Sequence, residues 1–101
     1  MDRAYALSLN YYLNAIPKGK ENAVHMDVLA RRWGTNTRFV RQVVSDLKKE
    51  GNIIITNQDG YFRTDDVDEI RKYYAKERAK AIGIFENNKH IREFLLENDA
   101  L

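Results

Sequence analysis

The sequence predicts a mainly helical α+β fold, with three helices, a β-hairpin wing and a long C-terminal helix. Three observations carry this. Apolar residues recur at helical spacing in three successive segments before residue 51. Two β-rich runs then flank "NQDG" at 57–60. Beyond Asp66 a highly charged stretch keeps a heptad-like apolar rhythm.

The first helix is expected from Asp2 to about Ala15. Tyr5, Leu9, Tyr12, Leu13 and Ile16 fall at intervals of three and four, and Pro17 ends the run. "PKGKEN" reads as a polar loop, and Val24 as a very short strand or extended entry. The second helix covers Met26 to Trp33, with Met26, Leu29, Ala30 and Trp33 on one stripe and Arg31 and Arg32 off it. Gly34 breaks it, since glycine tolerates the positive φ of a sharp turn between helices.

Asn36 is a good N-cap for the third helix, expected over about 37–50. Phe39, Val40, Val43, Val44 and Leu47 make its apolar face; Arg38, Arg41, Gln42, Ser45 and Lys49 lie opposite. Its β-branched and aromatic content gives weak intrinsic propensity, so packing must hold it. Lys48 and Lys49 suit the negative end of the helix dipole, and Gly51 stops the helix. Ile53–Thr56 and Tyr61–Thr64 form the hairpin strands. Asp59-Gly60 signals the turn, because both residue types tolerate left-handed geometry.

In the C-terminal stretch, Asp66-x-x-Glu69 resembles a capping box. Val67, Ile70, Tyr74, Ala81, Ile84, Ile91 and Leu95 hold a and d positions, with Glu77 at a d and Asn88 at an a. Unbroken from Asp66 to Glu97, this helix is roughly 48 Å long at 1.5 Å per residue, longer than a small domain is wide. Gly83 and Asn87-Asn88 are the candidate breaks, and with them the tail folds back as short helices in a monomer. A continuous helix instead needs a partner. The expected homodimer interface is Ile70, Tyr74, Ala81, Ile84, Asn88, Ile91 and Leu95, with Asn88 fixing register.

Composition bounds the function. At 101 residues the chain fits one compact domain with an appendage. Its net charge of +2 hides a division. Residues 1–64 hold ten basic and six acidic side chains, while residues 65–101 hold seven and nine. The basic domain, 1–64, is the candidate nucleic-acid side. The extension, 65–101, is a dimerisation or partner-binding element. Cysteine is absent, which excludes disulfides and thiolate metal sites. No apolar run approaches the roughly 20 residues of a membrane span. The amino terminus lacks a signal-peptide core, so a soluble cytoplasmic protein is expected.

Residues 26–64 resemble a winged helix-turn-helix domain of the biotin-repressor-like subtype, of bacterial or phage type. The residues concerned are "MDVLARRWGTNTRFVRQVVSDLKKEGNIII" and, across the turn, "GYFRT". Thr35 stands where that family usually has a small apolar residue after the turn glycine. The resemblance implies that the third helix enters the major groove of double-stranded DNA. Arg can bond guanine twice, Gln can pair bidentately with adenine, and Ser or Thr can serve either edge. Thr37, Arg38, Arg41, Gln42 and Ser45 are therefore the base-facing candidates. Arg32, Lys48 and Lys49 are candidates for phosphates, with Asn36 and Arg63 beside them. From Arg31 to Lys49 there are six basic residues against Asp46 alone.

Such a protein would be a small transcriptional regulator, its two third helices reading half-sites about one helical turn or a multiple apart. Winged helices also serve as interaction modules in replication and primosome assemblies, where this tail would recruit a protein partner. Fold alone does not choose between the two. Arginines on a helix exterior can also simply solvate it. The wing tip carries no cation, and Asp59 would meet phosphate unfavourably, so the hairpin equally well just completes the core. Tyr11-Tyr12 and Tyr73-Tyr74 fit core or interface positions better than base stacking. His25 and His90 stand apart from any ligand cluster, so no metal or other cofactor is expected. No phosphate loop or nucleophile–base pair is present, and no enzyme activity is expected.

Overall fold

A computed structural model describes residues 2–101. It is mainly helical, with a two-stranded antiparallel hairpin, an α+β arrangement consistent with a winged-helix-like layout. The chain divides into two compact units, one ending at Asp66 and the other spanning Val67–Leu101.

In the first unit, α1 spans Arg3–Ala15 and ends where Ile16 turns extended ahead of Pro17. A single 3-10 turn, Lys20–Asn22, lies within the expected loop. Val24 then bridges Tyr61, exchanging backbone hydrogen bonds of 3.0 and 2.8 Å with it. Helix α2 is Met26–Arg32, one residue shorter than its apolar stripe, because Trp33 becomes the C-cap. Gly34 follows at φ 65. Helix α3 is Thr37–Lys49, capped by the Asn36 side chain, which accepts from the Phe39 N–H at 2.9 Å.

Strands β1 (Ile54–Asn57) and β2 (Gly60–Arg63) pair with Asn57 opposite Gly60. The first strand starts one residue later than expected and the second one residue earlier. Ile53 is exposed, and Gly60 joins the ladder. Asp59 does not take a positive φ; Gly60 does, at 121. A Cβ on Gly60 would also collide with the Val24 carbonyl and the His25 amide. This glycine is required because two backbones meet there, and the turn chemistry alone does not explain it.

Leu9, Ile16, Leu29, Ala30, Val40, Val43, Val44, Leu47, Ile54 and Tyr61 form the core, drawn from all three helices and the hairpin. Tyr5, Tyr12, Trp33 and Phe39 extend it along one side, with Tyr12 and Trp33 ring centroids 4.7 Å apart. The Trp33 indole N–H is buried there without a hydrogen-bond partner among the described residues.

The second unit corrects the expectation of one long helix. Helix α4 is Val67–Asn87 and α5 is Lys89–Glu97, interrupted at Asn88 (φ −100, ψ 6). The Asn88 side-chain amide donates to the Ile84 carbonyl at 2.7 Å, while its backbone N–H is shared between Ile84 and Phe85 carbonyls. A side chain competing for its own helix's carbonyls loosens that turn. Asn88, expected to set register, thus ends α4. Asn98 repeats the bond to Phe94 at the end of α5. Gly83, the other candidate break, lies inside α4. Ahead of α4, the Asp66 N–H bonds to the Thr64 hydroxyl at 3.0 Å. No helix among the described residues is long and apolar enough to cross a membrane.

Candidate nucleic-acid interface

Helix α3 is fixed by what it buries. Val40, Val43, Val44 and Leu47 are almost wholly inaccessible, which turns the opposite side outward. At 100° per residue, Lys48, Arg41, Ser45, Arg38, Lys49 and Gln42 fall within an arc of about 120°. All are exposed except Ser45, which is half-buried, as is Thr37 at the helix start. Among the described residues neither Arg38 nor Lys49 has an ion-pair partner. The nearest polar contact of Arg41 is a weak one, Nη1 to the Met26 sulfur at 3.8 Å. Four cations thus share an arc with two hydrogen-bonding side chains, and no exposed carboxylate of α3 lies among them.

The one acid of α3 lies beside the arc, about 40° around the helix from Gln42. Asp46 is buried and accepts from the Tyr5 hydroxyl at 2.7 Å and from Gln42 Nε2 at 3.1 Å. Burial, and then the adjacent carboxylate, push the Tyr5 hydroxyl above the usual tyrosine range. The network ties α1 to α3 and sets the direction of the Gln42 amide. Its Oε1 and second N–H remain for an outside ligand, the acceptor and donor that an adenine edge requires.

Between α3 and the hairpin runs an open groove of about 290 Å³, lined by Arg41, Val44, Ser45, Lys48, Thr56 and Tyr61. It joins the cationic arc to an exposed hydroxyl on β1. Thr56 was not among the residues singled out from sequence. Strand alternation puts it on the face of the buried Ile54, so both its exposure and its nearness to α3 depend on the fold.

The remaining candidates are divided by the structure. Arg32 is exposed in the last turn of α2. The Asn36 Oδ1 is committed to the cap. Arg63 secures the open end of the hairpin: Nε donates to the Ile16 carbonyl at 2.7 Å, and its backbone N–H to Pro17 at 2.8 Å. At the wing tip, Asn57 Oδ1 accepts from the Asp59 N–H at 2.7 Å, closing a local turn. No group of three His, Cys, Asp or Glu among the described residues is arranged to hold a metal. Compared with protein-family models, curated proteins and solved structures, the chain matches none.

Proposed function

We propose that this chain is a winged helix-turn-helix protein that binds double-stranded DNA in a sequence-dependent way, with α3 in the major groove. The observation that carries this reading is the outward arc of α3, with four cations, Gln42 and Ser45 on a helix whose other side is anchored in the core. Arg38 and Arg41 suit guanine edges, Gln42 an adenine, and Thr37 and Ser45 either edge. Lys48, Lys49 and Arg32 suit phosphates, and the groove at Thr56 offers a hydroxyl for a backbone oxygen. Arg63 and Asn36 serve the fold in this scheme. A small transcriptional regulator is the role that best fits a binder of this size.

Fluorescence anisotropy with labelled duplexes over a salt series tests the proposal. Affinity should fall steeply with salt, and Lys49→Ala should reduce the slope of log K against log[salt] by about 1. Salt-independent or undetectable binding would contradict it.

A further inference from the structure

The buried Asp46 carboxylate stands directly behind one residue of the outward arc. Tyr5 occupies its Oδ2 at 2.7 Å, and Gln42 donates through Nε2 to Oδ1 at 3.1 Å. Among the described residues neither the Asp46 nor the Gln42 side chain has a further hydrogen bond. Oδ1 therefore relies on Gln42, and a buried acceptor left without its donor is costly. Although Gln42 is exposed, its amide is held from the inside.

A carboxylate offers acceptors only, so it holds the amide by its nitrogen and never by its oxygen. That fixes which way round the amide lies. The Nε2 hydrogen cis to Oε1 would bring Oε1 alongside Oδ1, oxygen against oxygen. The trans hydrogen turns Oε1 away, and is the one that suits Asp46. The outward edge of Gln42 then carries one acceptor, Oε1, and one donor, the cis N–H. Adenine presents the matching pair in the major groove, an N7 acceptor beside an N6 donor. Guanine presents two acceptors, N7 and O6, and so calls for two donors. A free glutamine can turn both N–H groups toward them, but one N–H of Gln42 is already taken.

We propose that Asp46 is a positioning residue that restricts Gln42 to adenine and excludes guanine at the base pair it meets. This rests on the reading of α3 as a major-groove helix. It adds that the selectivity belongs to the carboxylate behind the reading residue.

Anisotropy titrations with duplexes differing at single base pairs of a selected site test this on the full chain. Gln42→Ala identifies the base pair concerned. There the wild-type chain should prefer A·T to G·C by about tenfold or more, in the range of one bidentate contact. Asp46→Ala should reduce that preference to about threefold or less and leave the preferences at other positions unchanged. Adding Asp46→Ala to Gln42→Ala should alter the ratio no further, because the carboxylate acts through the amide. A merely structural role would lower affinity for every duplex alike. Proton–nitrogen NMR of the wild-type chain without DNA needs no Asp46 variant: one Gln42 side-chain amide proton should show the low temperature coefficient of a hydrogen bond. Two solvent-like protons would overturn the proposal, as would the same A·T to G·C ratio with and without Asp46. If the wild-type chain selects no site at all, the reading of α3 fails and takes this proposal with it. A defined site with an unaltered ratio removes this proposal alone.

Discussion

The Tyr5 hydroxyl donates a 2.7 Å hydrogen bond to the buried Asp46 carboxylate, joining the first turn of α1 to the helix proposed to read DNA. A hydrogen bond to a charged group is worth about 1.5–3 kcal/mol, and losing it leaves a buried acceptor underused. Tyr5→Phe should therefore lower unfolding stability by about that amount in urea titrations at neutral pH.

The same contact predicts an alkaline limit. Burial and the Asp46 charge hold the Tyr5 hydroxyl above its ordinary value of about 10. Because the folded state holds the proton more tightly, the contribution of the hydroxyl is fully present below pH 10. It fades as pH rises from there through the raised folded value. Unfolding titrations at pH 9 and pH 11 should show the gap between wild type and Tyr5→Phe narrowing at the higher pH. A constant gap would mean that the hydroxyl is not held in this way.

Glycines 60 and 83 should respond oppositely to alanine. At Gly60 the new methyl meets the Val24 backbone at a φ of 121, so Gly60→Ala should cost about 1–3 kcal/mol in backbone strain alone. Nothing lies within 4 Å of a Cβ at Gly83, inside α4. There alanine should favour the helix by about 1 kcal/mol. Thermal melts followed by circular dichroism distinguish the two. A neutral Gly60→Ala would mean that the Val24–Tyr61 bridge is loose.

Asn36→Ala should cost about 1 kcal/mol by removing the cap of α3. Asn36→Asp, which keeps a capping oxygen, should recover most of it in the same urea titration. If both variants lose DNA binding at unchanged stability, Asn36 touches DNA as well.

The helices and hairpin could be read from sequence because their signals are local. The periodicity of Phe39 to Leu47 and the caps at Asn36 and Gly34 depend on neighbours a few residues away. What escaped depended on distant neighbours. Asp46 was counted as one charge against six, and only its distance from Tyr5 shows that it faces inward. Arg63 looked like a wing cation until the Ile16 carbonyl took its guanidinium. Gly60 was identified through the turn, although the Val24 backbone is what excludes a side chain. Phe85 and Phe94 fall outside a strict a/d count, yet they are exposed alongside the residues it named. Asn88 fitted the heptad, but its amide bonds to its own helix.

The outward arc of α3 is tested most directly by selecting from random duplexes with the full chain, in parallel with an Arg38→Ala/Arg41→Ala variant. A defined site should be enriched by the wild-type chain and lost by the variant, each good bidentate contact being worth about 1–3 kcal/mol of discrimination. No enrichment, or the same site recovered with equal affinity by both proteins, would contradict the assignment of α3 to base reading.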